Sequence, residues 1–389
     1  MRMSLVTLDR LVKGGHVAAE QAARTEWLWS EIRRLKRDKR AFVPAHNYQV
    51  PEVQAIADTV GDSFELAVRA RDIDAALVVF CGVRFMAEGC ATLAPDRPVY
   101  LPNLQALCSL AEVDADDVAE RQDFLRAAGR RFATMTYVNT YADVKAISDS
   151  CCTSSNAARI AEKLGAPDIL FVPDQNLAYQ VALKTRRMYL PPPEPHKFHP
   201  REYAEMIEPL IRDGERQGLI GNVFAWEGAC HVHHQMTVAD IERIRLQDPG
   251  ATEIVHGEVK PELQRAADAV LSTSQMAKWV DSHPEQNRFA ILTECGLVVR
   301  MELEHPREAV LQALPPLPVH EGHRPRERLH HAARRARRPA HHRPRGRARR
   351  GGARDAADDR ARLLDGSPGR VPMPSRDELR AAKLRYAHA

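Results

Sequence analysis

Three pairs of polar residues recur along this chain at matched positions: His46 with Tyr48, Tyr137 with Asn139, and His256 with Glu258. Imidazole, phenol and carboxylate groups move protons, and amides and hydroxyls bind carbonyl and carboxylate oxygens. What ties the pairs together is their setting. Each precedes an octapeptide of one pattern, PEVQAIAD at 51–58, ADVKAISD at 142–149 and PELQRAAD at 261–268. The first member of each pair lies five residues before its octapeptide and the second lies three before it. Five residues after each closing Asp stands a hydroxyl: Ser63, Ser154 or Thr273. Nine side chains at repeated offsets suit one central pocket for a small anionic substrate. Taken singly, each hydroxyl is also a residue type that caps a helix N-terminus.

The pairs close apolar, strand-like runs (AFVPAHNYQ, FATMTYVNT, ATEIVHGE), and each octapeptide, with an acid second and an aliphatic third, reads as the first turn of a helix. After each hydroxyl a second helix leads to another apolar strand, ALVVFCG, ILFVPD or FAILTECG. The repeating unit is therefore strand, helix, helix, strand, three times over. In parallel α/β layers, ligands collect where strands end and helices begin. The expected fold is α/β: three similar α/β domains in a pseudo-threefold triangular arrangement around a central site. Residues 1–39 read as a helical lead-in, 40–129, 130–235 and 236–313 as the three units, and 314–389 as a disordered Arg-rich C-terminal tail.

A chain of 389 residues, 44% hydrophobic, has room for several cores of ordinary size. No apolar run is long enough to cross a bilayer and the first residues lack the pattern of a secretion signal, so a cytoplasmic protein without a membrane partner is expected. The net charge of +4 conceals an uneven distribution. Residues 321–350 hold twelve Arg and two acidic side chains, which leaves the rest of the chain acidic. That tract offers a second reading, a nucleic-acid-binding protein on an α/β scaffold. It lacks the aromatic residues that stack on bases, and no nucleic-acid partner is expected. The seven Cys read as metal ligands, thiols or core residues, with Cys81, Cys90, Cys151, Cys152 and Cys295 assigned to packing. GACHVHHQM gathers Cys230, His231, His233 and His234, but no second ligand pair is spaced to complete a zinc site.

From about residue 40 to about 304 the chain resembles the quinolinate synthase family. AHNYQVPEVQ, GDSFELA, FCGVRFMAE, LPNLQALCSLAE, YVNTYADVKAISD, CTSSNA, ILFVPDQNLA and CHVHHQM carry the resemblance. It implies three α/β domains around a [4Fe-4S] cluster held by three cysteines, one from each domain, with Cys108 and Cys230 as the first two. It implies an enzyme of NAD biosynthesis that condenses iminoaspartate, supplied by L-aspartate oxidase, with dihydroxyacetone phosphate. His46, Ser63, Tyr137, Asn139, Ser154, His256, Glu258 and Thr273 match substrate-contacting positions, and Tyr48, Glu258 and His256 match positions for proton transfer and carbonyl orientation. A cluster with three thiolates leaves one iron open to polarise a substrate oxygen. Further readings are a cluster-free relative that only binds substrate.

The third ligand is missing. The family has a Cys followed closely by Pro and Met-Lys, and this chain has no Cys after Cys295. Leu317 lies 44 residues after Thr273, nearly the interval from Ser63 to Cys108. Read one base later, Leu317 to Glu321 as CTG-CCC-GTA-CAT-GAA, closed by the first base of the Gly322 codon, yield Cys-Pro-Tyr-Met-Lys. A shifted frame in a GC-rich gene also yields Arg, Pro, Ala, Gly and His, the composition of the tract. The expectation is that residues after about 313 are out of frame and that the chain as written binds its cluster weakly or not at all.

Overall fold

A computed structural model of the chain describes residues 6–305 except 284 and 287, together with the backbone of 309–312 and 369–370. The proposed out-of-frame region from 314 onward lies outside the described residues apart from those last two.

Two helices lead in, Leu8–Lys13 and Ala22–Asp38. The Trp29 indole on the second donates to Glu52 O over 3.1 Å and so seats it on the first repeat. The strands are β1 (Ala41–Phe42), β2 (Pro44–His46), β3 (Thr59–Gly61), β4 (Leu77–Val79), β5 (Val99–Leu101), β6 (Phe132–Tyr137), β7 (Ser150–Cys152), β8 (Asp168–Val172), β9 (Met188–Leu190), β10 (Asn222–Ala225), β11 (Thr252–His256), β12 (Ala269–Leu271), β13 (Arg288–Leu292) and β14 (Ala309–Gln312). They form a mixed α/β fold with parallel sheets ordered β1-β4-β5, β7-β6-β8-β10-β9 and β12-β11-β13-β14, and a parallel pair β2-β3 bridged to the first sheet through Ala45 and Cys81. Gly369–Arg370 lies antiparallel on β5.

The repeating unit differs from expectation in one respect. Between its two helices runs a further strand, β3, β7 or β12, paired with the strand that opens the repeat. The octapeptide explains it. Its helix is short (Pro51–Gln54, Ala142–Ala146, Pro261–Ala266), with the acid in the first turn as expected. Its closing Asp is not helical and turns back to the opening strand. The Asp58, Asp149 and Asp268 carboxylates accept the backbone N–H of Val43, Thr134 and Glu253 over 2.7, 2.8 and 2.9 Å. The N–H of each Asp donates to the carbonyl of that same partner. Each partner lies 15 residues back, so one register governs all three pairings. Three residues of strand are too few to show an alternating pattern in sequence.

The strands of the second sheet, β8 and β10, are buried along their whole length, as expected of parallel strands covered by helices on both faces. In the third, Phe289 and Ile291 pack on one side while Ala290 and Leu292 pack on the other. Cutting a fully buried ring such as Phe171 to Ala would cost about 3–5 kcal/mol.

Candidate functional site

His46, Tyr137 and His256 are the last residues of β2, β6 and β11, so each side chain stands where a strand stops. Tyr48, Asn139 and Glu258 follow in the turns. The fixed register sets Ser63, Ser154 and Thr273 two residues beyond the partner strands β3, β7 and β12. These nine residues, with Cys108 and Cys230, line one cavity of about 160 Å³.

The hydroxyls are not caps. Asp62 caps the helix Ser63–Asp72 by accepting from Phe64 N and Glu65 N, and Ser272 caps Thr273–Ser282 by accepting from Gln275 N. Ser63 and Thr273 are the first helical residues, and Ser154 precedes the helix Ala157–Lys163.

Both imidazoles are neutral donors. His46 Nδ1 accepts from Tyr48 N over 3.2 Å, and His256 Nδ1 accepts from Glu258 N over 3.3 Å, which leaves the ring proton on Nε2. Burial holds each at about 4, against the attraction of nearby carboxylates. Neither is therefore a general acid near neutral pH.

Glu258 has the opposite balance. Burial pushes its carboxyl up, but the hydrogen bonds it receives from His233 and the Tyr137 hydroxyl outweigh it and hold the group well below the usual carboxylate range. Tyr137 Oη donates to Oε1 over 2.7 Å. His233 Nδ1 lies 3.0 Å from Oε2, and an ionised carboxylate only accepts, so Nδ1 carries the proton. His233 Nε2 lies 2.9 Å from Thr293 Oγ1, which in turn lies 2.9 Å from Tyr48 Oη. A continuous hydrogen-bonded chain runs Tyr48, Thr293, His233, Glu258, Tyr137. Burial and Glu258 keep both phenols protonated, well above their ordinary value.

Sequence reasoning missed Thr293 and His233. His233 had a faint signal in its spacing of three from Cys230. Thr293 follows the end of β13, where the other repeats carry Phe80 and Pro173 after β4 and β8, so comparing repeats could not single it out.

The two thiols reach the cavity from separate loops joined by Ser109, whose Oγ lies 3.2 Å from His231 Nδ1 and 3.4 Å from Ala229 O. Burial pushes Cys108 up to about 12 and Cys230 well above its ordinary value. Among the described residues the cavity wall carries no Lys or Arg, so a bound metal is the partner that would make them thiolates. Of the other cysteines, Cys90, Cys151 and Cys152 are buried packing residues as expected. Cys81 and Cys295 are only half-buried and stand outside the cavity, with the Cys295 thiol donating to Glu294 Oε1 over 3.1 Å. Two cavity thiols of this kind are a donor set suited to a metal. The sequence offered no second ligand pair spaced to complete a zinc site around GACHVHHQM, and the fold adds one further donor beside it. Cys230, His233 and Glu258 offer ligand atoms within 4.8 Å of one another, because tertiary packing brings in a carboxylate that spacing along the chain does not reveal.

Parallel strand ends that close on neutral imidazoles, hydroxyls, a buried carboxylate and two thiols define a small-molecule enzyme with a candidate metal site. The family model described as quinolinate synthetase A protein matches residues 30–321, and the chain belongs to that family of NAD-biosynthesis enzymes. It is 41% identical over 282 residues to the quinolinate synthase of Methanoregula boonei, covering 72% of this chain and 81% of that protein. It is 39% identical over 277 residues to that of Thermodesulfovibrio yellowstonii, covering 71% and 79%. With quinolinate synthase 1 of Mesorhizobium japonicum it shares 38% over 277 residues, covering 71% and 74%.

Proposed function

We propose that this chain condenses iminoaspartate with dihydroxyacetone phosphate to quinolinate, releasing phosphate and water, in the cytoplasm and fed by L-aspartate oxidase. The observation that carries the reading is the hydrogen-bonded chain through Glu258 beside two cavity thiols. The Nε2–H groups of His46 and His256 and the groups of Ser63, Ser154, Thr273 and Asn139 are donors suited to substrate carboxylate and carbonyl oxygens. Glu258, ionised and buried, is the base that removes a carbon-bound proton as the ring forms. Tyr48 is the acid that protonates a departing oxygen, and it regains its proton through Thr293 and His233.

The proposed cofactor is a [4Fe-4S] cluster. Cys108 and Cys230 would hold two of its irons, and when bound it would supply an open iron that polarises a substrate oxygen. The third thiolate belongs at the position of Leu317, in the neighbouring frame. The nucleic-acid reading of the Arg-rich tract draws no support from the comparisons and rests on residues outside those described.

The test is quinolinate formation by the chain with Cys-Pro-Tyr-Met-Lys restored from residue 317 and its cluster reconstituted without oxygen. A loaded protein that forms no quinolinate from the two substrates overturns the reading.

A further inference from the structure

The fourth residue of each octapeptide is Gln54, Lys145 or Gln264, and all three are buried polar side chains, at 4%, 2% and 8% exposure. None lines the cavity. Their contacts repeat. The Gln54 amide nitrogen donates to Asn47 O and Gln49 O over 3.0 and 2.6 Å, the two carbonyls that flank Tyr48. Gln264 donates to Gly257 O and Val259 O over 3.0 and 2.8 Å, the carbonyls that flank Glu258. The Lys145 ammonium donates to Thr140 O, next to Asn139. Each thus grips the turn that presents its own repeat's site residue.

Each also reaches into a different repeat, and always to the same place, the second residue of the helix that follows the third strand. Gln54 donates to Gly296 O over 3.2 Å and Gln264 to Asn176 O over 3.1 Å, while the Lys145 ammonium lies 5.9 Å from the Phe85 ring centroid. The first repeat thus holds the third, the third holds the second, and the second holds the first, which closes a ring. Two details show how tight it is. A Cβ on Gly296 would come within 2.7 Å of Gln49 O, so that helix end abuts the Tyr48 turn directly. The Asn176 amide donates to Glu258 O over 2.8 Å, so every carbonyl from Gly257 to Val259 is held by one of two side chains.

We propose that Gln54, Lys145 and Gln264 are positioning residues, a cyclic set of clamps that holds the three strand-end turns in one mutual geometry so that the pocket is assembled before substrate arrives. The donor end of each side chain is what matters: Gln54 Oε1 is buried without a protein partner among the described residues, whereas its nitrogen serves three carbonyls. A buried polar group left unsatisfied is costly, so an amide aimed this way is there for its N–H groups. Lys in the second repeat does the work of Gln in the others because both present N–H donors at the end of an unbranched stem.

The inference rests on the dicarboxylate reading of the pocket only for its binding assay. Gln54→Leu, Gln264→Leu, Lys145→Leu and Lys145→Gln are compared by hydrogen exchange at the turn amides, by melting temperature and by calorimetric binding of succinate. The Leu variants should lose exchange protection at residues 47–49, 139–141 or 257–259 while the strands stay protected. They should also bind succinate weaker by on the order of tenfold, the effect of misaligning about one hydrogen bond to the ligand. Lys145→Gln should keep both properties, because it restores the side chain that the other two repeats use. Protection retained in the Leu variants, or lost in Lys145→Gln as in Lys145→Leu, overturns the proposal. If the unchanged chain does not bind succinate, the dicarboxylate reading fails and the exchange pattern alone decides the clamps. If a Leu variant does not fold, Lys145→Gln against the unchanged chain decides.

Discussion

Tyr137 Oη donates to Glu258 Oε1 over 2.7 Å, although the two residues lie 121 positions apart and end different sheets. A short bond between a protonated phenol and an ionised carboxylate, both buried, fixes the carboxylate's orientation before substrate binds.

Glu258→Gln keeps this shape and removes the ionisable group. Turnover in the cluster-loaded protein should fall by about 10²–10⁴, as for loss of a general base. The melting temperature should change little, because the substitution also removes a buried charge. A rate loss matched by an equal loss of stability would assign Glu258 to the fold.

Thr293→Val cuts the hydrogen-bonded chain between Tyr48 and His233 at bonds of 2.9 Å on either side, with little change in volume. Turnover should drop at least about tenfold and Thr293→Ser should restore it. Equal activity in the Val and Ser variants would show that Tyr48 exchanges its proton by another route.

Acid should destabilise the protein well above the carboxylate range. His46 and His256 have folded values of about 4 against an ordinary 6.5. Between those values the unfolded chain binds protons that the fold excludes, so stability falls as pH falls through this window, by a few kcal/mol for each fully buried ring. Urea midpoints at pH 7 and pH 5 test it, and His46→Gln should flatten the slope. A midpoint unchanged between the two would mean that the rings are protonated in the fold.

Iron and sulfide should separate the chain as written from a repaired one. Purified without oxygen, the chain with two cavity thiols should retain little of either, and the version with Cys-Pro-Tyr-Met-Lys from residue 317 should hold both in equal amounts. Cys108→Ser or Cys230→Ser should abolish that gain. Full loading of the unrepaired chain would remove the case for a missing ligand, and resequencing the gene tests the frame itself.

The octapeptide spacing by itself determined that His46, Tyr137 and His256 end strands and that three hydroxyls follow at one interval. Local geometry is enough for that, because a 15-residue register and a short helix repeat whatever surrounds them. The same sequence concealed the strands β3, β7 and β12, whose closing Asp reads as helical until the backbone N–H it accepts is known. The repeat also pointed to one central pocket, and tertiary structure decided that His233 joins the three strand ends in it. Tertiary structure also decided the protonation of the site: His256 is neutral and Glu258 two residues later is ionised, because the ring is desolvated while the carboxylate receives hydrogen bonds from Tyr137 and His233. Those donors come from distant parts of the chain. No pattern along the sequence encodes such a meeting, since it depends on how separately folded repeats pack and on clamps such as Gln264 that hold them there.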